Sequence, residues 1–195
     1  GRVDNAKEDV LKQMARAGAK VCYFGAESAN QHVLDYYKKG ITPQQTIEAV
    51  NKARRAGIDF LVASFILGAP NETASDIERT IKFMTKLDVD FVQVTNLIAY
   101  PGTELWDDFV TKGYLDPNKY WEAGVGAGEV YPGALSHEYV ISQVKDAYAR
   151  FVGNYKLKAR HVWRLFKSGF RRDVLRQNLK YFDKDLVKRL IGKKK

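Results

Sequence analysis

Phe65-Ile66-Leu67-Gly68-Ala69-Pro70-Asn71-Glu72-Thr73 runs from an apolar strand through a Gly/Pro turn into the start of a helix. A similar change ends the apolar run before it, at Gly25-Ala26-Glu27-Ser28, and the one after it, at Tyr100-Pro101-Gly102-Thr103. Three successive predicted strands therefore end in polar or glycine-bearing turns. In a parallel α/β sheet or barrel these ends share one face, which is where such folds place their ligand sites.

The predicted strands are short and apolar, and amphipathic helices separate them. They cover residues 20–25, 60–67 and 91–99 and contain few charges. Near-continuous apolar strands that alternate with helices are typical of a parallel sheet covered by helices, and not of an antiparallel sandwich. The sequence therefore predicts an α/β fold.

Capping residues mark where the helices begin. Four polar residues stand at predicted helix starts, three of them with a partner three residues later: Asn5 with Glu8, Thr42 with Gln45, Thr73 with Asp76, and Ser136. Such pairs satisfy backbone N–H groups that the first helical turn leaves free. Between the helices that end near Gly113 and begin near Ser136, residues 116–135 are rich in glycine and predict a surface loop.

The positive charge is concentrated in the last forty residues. Residues 156–195 contain 15 Lys/Arg and 3 Asp, a net charge of +12, whereas residues 1–155 carry −3 of the total of +9. Any argument for an anionic partner therefore depends on this basic tail. The sequence has no apolar run long enough to span a membrane and no signal peptide, so we expect a cytoplasmic protein.

Cysteine and histidine usage argues against a metal site within this chain. Cys22 is the only cysteine and lies in an apolar run, which predicts a buried core residue. The three histidines, His32, His137 and His161, lie on different predicted helices without metal-ligand spacing. We therefore expect no metal ligands here.

The motifs at the strand ends, together with Lys39-Gly40-Ile41-Thr42, resemble the radical S-adenosylmethionine (SAM) superfamily, and more narrowly its cobalamin-binding branch. The similarity covers residues 1 to about 115, with a looser likeness from Ser136 to about Leu165. It implies the C-terminal half of a partial (βα)6 TIM-like barrel with parallel strands over residues 1–115. A loop over 116–135 and a mainly helical, basic C-terminal region over 136–195 would follow.

The resemblance also implies what this chain lacks. Members of the superfamily hold a 4Fe-4S cluster on a CxxxCxxC loop after the first barrel strand, and a single cysteine cannot supply three thiolates. The chain starts near the predicted end of a strand at residues 2–4 and has too few strands to close a barrel. We expect the cluster-bearing strands and any cobalamin domain upstream in the same polypeptide, and we expect this chain alone to be inactive.

By resemblance, one set of residues would contact SAM, while the catalytic residues stay unassigned. The set comprises Arg2, Glu27, Ser28, Lys39, Leu67, Gly68, Glu72, Ala99, Tyr100 and Pro101. Five of them have structural alternatives. Ser28 can cap a helix, Lys39 can complement a helix C-terminus, Glu72 can hold its own turn, and Tyr100-Pro101 can form an ordinary β-turn.

Two functional readings remain open from the sequence. In the first, the chain is part of a radical SAM enzyme that acts on a small molecule by radical chemistry or by methyl transfer through cobalamin. In the second, it is a degenerate, non-catalytic barrel piece that serves as a binding module. In either case the basic tail is a solvated helical face or contacts nucleic acid or an anionic membrane.

Overall fold

A computed structural model describes residues 1–123 and 132–173. The strands are β1 (Val21–Glu27), β2 (Phe60–Leu67) and β3 (Phe91–Asn96). The helices are a 3-10 turn at Val3–Asn5, α1 (Glu8–Arg16), α2 (Gln31–Tyr36), α3 (Pro43–Arg55), α4 (Ala74–Met84), α5 (Glu104–Thr111), α6 (Pro117–Ala123), α7 (His137–Gly153) and α8 (Tyr155–Lys167). Residues 169–173 are also helical.

The three strands form one parallel sheet in the order β1-β2-β3. An isolated parallel bridge joins Arg2 to Gly25 beside β1. Phe24 and Phe65, on the face that the helices cover, are fully buried. The α/β prediction with parallel strands is therefore confirmed.

Helix α7 covers the free edge of β3. The Tyr148 hydroxyl accepts a hydrogen bond from the Val94 backbone N–H at 2.9 Å and donates one to the Val94 carbonyl at 3.2 Å. These are the two backbone groups that a further strand would pair, and an unpaired edge invites association with other chains. The Tyr148 side chain of α7 therefore satisfies the edge of β3 at Val94 in place of a further strand.

Three of the four predicted caps form as expected. Thr42 and Thr73 make complete capping boxes with Gln45 and Asp76, and the Ser136 hydroxyl accepts from the Tyr139 backbone N–H. The predicted Asn5 cap is wrong: Asn5 belongs to a 3-10 turn, and α1 begins after Lys7, which is extended and makes no side-chain cap. The 3-10 turn and α1 begin within a few residues of each other, so the cap signal alone could not choose between them.

The predicted loop over residues 116–135 contains a helix. Helix α6 occupies Pro117–Ala123, because Tyr120 and Leu115 pack with Trp106 and Phe109 of α5 in a small second core. The rings of Trp106 and Tyr120 meet edge to face at 4.7 Å. Residues 124–131 lie outside the described part of the chain.

Acidic residues stand at the starts of β2 and β3, at the end of the sheet opposite the predicted ligand site. Asp90 is buried, and it pairs with Arg54 of α3 and with Arg171, whose Nη1 lies 2.6 Å from Asp90 Oδ1. Its Oδ2 also accepts from the Leu61 backbone N–H at 2.8 Å. Burial acts to raise the pKa of Asp90, but hydrogen bonds from Arg171 and the charge of Arg54 hold that pKa below its ordinary value.

The same ion pairs attach the basic C-terminal region to the sheet. Arg160 and Arg164 of α8 both contact Asp88, and Arg171 also contacts Asp59 at 2.8 Å. Part of the tail's positive charge is therefore compensated within the chain. Among the described residues, no helix has both the length and the apolar character needed to cross a bilayer.

The turn after β2 is organised around a buried carboxylate. Gly68 has φ of 95°, a conformation that favours glycine, and its N–H donates to Glu72 Oε2 at 2.7 Å. The Ala69 N–H donates to the same oxygen at 3.3 Å. Glu72 is 1% exposed, so its carboxyl group holds the turn from within.

Asp90→Asn is expected to destabilise the chain by about 3 kcal/mol, because it removes the buried charge that Arg54 and Arg171 share and leaves each of them with a single other carboxylate. Asp108→Asn is the matched control, since Asp108 pairs with Lys112 in a half-exposed, i to i+4 contact that contributes little. Urea unfolding of the three proteins measures the difference. Equal losses in both variants would contradict the prediction.

Glu72 is expected to make stability depend on pH. Burial raises the pKa of Glu72 from its ordinary 4.5 to about 7, against the hydrogen bonds from Gly68 and Ala69. The native state then binds the proton more tightly than the unfolded chain, so this contribution is complete below pH 4.5 and is lost as the pH rises through about 7. The loss is on the order of 3 kcal/mol.

Glu72→Gln removes the titrating group and keeps an oxygen that can accept from the turn. Urea midpoints of the wild type should fall between about pH 5 and pH 8, and the Glu72→Gln variant should lack this part of the fall. An identical pH dependence in the two proteins would rule out Glu72 as its source.

Candidate functional site

Three of the predicted site residues meet at the C-terminal end of β1. Lys39 Nζ lies 2.5 Å from Glu27 Oε1, and both side chains are largely buried. Arg2 donates from Nη2 to the Lys39 carbonyl at 2.8 Å and forms a two-point ion pair with Asp4. Lys39 therefore does more than complement the end of α2, because its ammonium group is held against a carboxylate at the edge of the sheet.

Gly25 makes room for this ion pair. A Cβ atom on Gly25 would lie 2.6 Å from Glu27 Oε1 and 3.1 Å from Lys39 Nζ. The pairing of β1 with β2 shifts between Gly25 and Glu27, and Glu27 has φ of 61°, which is unusual for a residue with a side chain. A bulge and a strained residue that place a charge at a strand end are features of functional sites.

Ser28 directly follows β1 and has no exposed surface. Its hydroxyl is 3.2 Å from Thr80 Oγ1 of α4 and accepts from the Asn30 backbone N–H at the start of α2. In this structure the hydroxyl serves the packing of α2 on α4, and Ser28 does not cap α2, whose N-cap is Asn30 without a side-chain cap hydrogen bond. A contact of Ser28 with a ligand stays a prediction.

Leu67 and Gly68 bring main chain to the same edge of the sheet. The Leu67 side chain is fully buried, and its carbonyl accepts from the Leu97 N–H at 2.8 Å. Asn71, three residues after Gly68, donates to the His32 carbonyl of α2 at 3.0 Å. The turn after β2 therefore lies against the helix that follows β1.

The turn after β3 presents one exposed aromatic ring. Ala99 is fully buried in the second core, whereas Tyr100 is half-exposed. The Tyr100 carbonyl accepts from the N–H and the hydroxyl of Thr103, at 3.2 Å and 2.7 Å, so Pro101 stands within an ordinary turn. An ion pair between Lys38 and Glu104 ties this turn to the segment that carries Lys39.

The open face of the sheet carries polar residues that the sequence analysis did not single out. The strand register places Gly25, Ser64 and Gln93 side by side, with Thr95 next along β3. Gln93 and Thr95 are exposed, and Gln93 is hydrogen-bonded to the hydroxyl of Tyr23 across the sheet. The signal was the alternation of apolar and polar residues in β3, which predicts a strand with one uncovered face.

The described residues bring one charge of each sign together at the end of β1, on Glu27 and Lys39, beside Gly25. Within residues 1–123 and 132–173 no group of three or more His, Cys, Asp and Glu is placed to hold a metal. Cys22, the only cysteine of the chain, is buried in the core.

The chain is similar in sequence to enzymes of known and unknown activity. It is 46% identical over 114 residues to an uncharacterized methyltransferase of Pyrococcus horikoshii, covering 58% of this chain and 25% of that protein. It is 31% identical over 185 residues to an anaerobic magnesium-protoporphyrin IX monomethyl ester cyclase of Cereibacter sphaeroides, covering 93% of this chain and 29% of that protein. The chain therefore spans less than a third of the length of either relative.

Solved structures share the fold. Coproporphyrinogen III oxidase from Escherichia coli, a radical SAM enzyme, superposes with a TM-score of 0.57 at 16% identity, over 78% of this chain and 31% of that one. Elp3 of Methanocaldococcus infernus gives a TM-score of 0.56 at 21% identity, over 75% of this chain and 30% of that one. The family model of the Radical SAM superfamily matches residues 1–84, and the chain therefore carries a radical SAM superfamily domain.

Proposed function

We propose that this chain is part of a cobalamin-dependent radical SAM enzyme that acts on a small molecule by radical or methyl-transfer chemistry. Within that enzyme the chain would form one wall of the SAM site. The observation that carries the proposal is the Glu27–Lys39 ion pair, held over Gly25 at a strand end inside the segment that matches the superfamily. Relatives described as a methyltransferase and a putative methylthiotransferase support the reaction class.

The charges of the ion pair suit the methionyl part of SAM. That part carries an ammonium and a carboxylate group, which a Glu carboxylate and a Lys ammonium can bind in a complementary way. In the structure Glu27 and Lys39 bind each other. On binding SAM, the Glu27 carboxylate would turn to its ammonium group and the Lys39 ammonium to its carboxylate, and the two side chains would stay adjacent. Arg2 holds the Lys39 main chain and thereby positions the pair.

The adenosyl part would lie against main chain and an aromatic ring. Leu67 and Gly68 bring buried main chain to this end of β2, and Tyr100 offers a half-exposed ring. Ala99 and Pro101 would fix that turn from either side. When bound, SAM supplies the methyl or adenosyl group, and the residues of this chain bind and orient it.

A 4Fe-4S cluster requires thiolates that these 195 residues do not provide. One buried cysteine does not fit a 4Fe-4S cluster, so no step of the reaction is assigned to this chain through a cluster. We infer that the cluster loop and a cobalamin domain lie upstream in the same polypeptide. Their absence from the full gene product would favour the non-catalytic binding module instead.

Gly25→Ala tests the site without changing its charges. The added methyl group must push the ends of Glu27 and Lys39 apart, since both are flexible side chains, and the fold should survive. We expect SAM to bind the gene product that contains this chain about tenfold more weakly, which corresponds to the loss of about one charged hydrogen bond. Isothermal titration calorimetry measures the dissociation constant.

Gly153→Ala is the matched control, because a Cβ at that position at the end of α7 has no neighbour within 4 Å. The control should bind SAM as the wild type does. If the Gly25→Ala protein keeps its thermal midpoint and binds SAM with unchanged affinity, the Glu27–Lys39 pair does not contact SAM.

The 195-residue chain by itself is expected to form no 5′-deoxyadenosine from SAM under reducing conditions, because it cannot hold a cluster. Liquid chromatography of the reaction mixture checks this, with the reconstituted full gene product as the positive control. Product formed by the short chain at the rate of the full protein would contradict the expectation.

A further inference from the structure

Helix α8 turns its arginines toward the protein. Arg160 Nη1 lies 2.9 Å from Asp88 Oδ1, and Arg164 Nη2 lies 2.6 Å from Asp88 Oδ2. Arg171, beyond the helix, is buried between Asp59 and Asp90. These guanidinium groups therefore hold α8 and the residues after it against the N-terminal ends of β2 and β3.

The opposite side of α8 is apolar and uncovered. Val162, Trp163 and Phe166 are 52%, 58% and 80% exposed, and they adjoin one another at helical spacing. Lys167 Nζ lies 4.1 Å from the centre of the Trp163 ring. An amphipathic helix normally buries its apolar side, but among the described side chains of α8 Arg164 is largely buried while these three apolar residues are exposed.

We propose that this outer face of α8 binds the surface of an anionic membrane. Exposed Trp and Phe beside Lys is the composition of helices that lie in the membrane interface. Residues 174–195, which follow the described region in sequence, contain eight Lys/Arg and two Asp, and this net positive charge suits anionic headgroups. The exposed apolar face of α8 and the positive charge of the sequence after it together favour a lipid surface.

Nucleic acid fits the same face less well. Binding to phosphates relies on arginine and lysine side chains that are free to contact them. Arg160, Arg164 and Arg171 are engaged with carboxylates, and Phe166 and Val162 present aromatic and aliphatic surface without a polar group. No helix of the described residues can cross a bilayer, so α8 would lie on the membrane and not span it.

The test is co-sedimentation of the gene product that contains this chain with phosphatidylcholine vesicles, with and without phosphatidylserine. The wild type should bind the phosphatidylserine vesicles, and added NaCl should weaken the binding. Replacing both rings, Trp163→Ser with Phe166→Ser, should reduce the partition coefficient about 30-fold, because two large side chains lose their burial. Trp121→Ser is the matched control: Trp121 is 72% exposed on α6, and its loss should change nothing.

A second variant guards against a folding defect. Phe166→Glu changes one highly exposed side chain, so it should unfold at the wild-type temperature and still lose binding. Absence of wild-type binding, or equal binding by the wild type and both variants, would overturn the proposal. The proposal would also be overturned if the protein bound no vesicles but bound single-stranded RNA through Trp163 and Phe166.

Discussion

The carboxylate of Asp90 has almost no exposed surface, and a buried charge of this kind is tolerated only when partners surround it. Arg54, Arg171 and the Leu61 backbone N–H provide those partners, and they come from α3, the C-terminal region and β2. One side chain thus joins elements that are far apart in sequence. The position of α8, and with it the face that it exposes, follows from this network.

The two ends of the sheet use charge in different ways. At the N-terminal end, three aspartates and their arginines satisfy one another and join helices to strands. At the C-terminal end, the largely buried Glu27–Lys39 pair lies beside Gly25, which leaves space for it. The first arrangement joins helices to the sheet, whereas the second places one charge of each sign at the end of β1, where we propose that SAM binds.

Local patterns made the strands and most helix starts predictable. Apolar runs placed β1 to β3, and Thr42, Thr73 and Ser136 capped the helices as expected, because these signals act within a few residues. The predicted Asn5 cap was wrong, because Asn5 lies in a 3-10 turn. The predicted loop over 116–135 was wrong at residues 117–123, which form α6 with Tyr120 packed on Trp106. Neither effect is visible in a short window of sequence.

The sequence by itself determined the α/β alternation, the turns at the strand ends and the resemblance to the radical SAM superfamily, since each depends on residue type and spacing along the chain. Only the tertiary structure decided that Glu27 pairs with Lys39 over Gly25, that Ser28 packs against Thr80, and that the arginines of α8 face inward. These contacts join residues from 12 to 76 positions apart. Their partners are chosen by the packing of helices on the sheet, which local spacing does not specify.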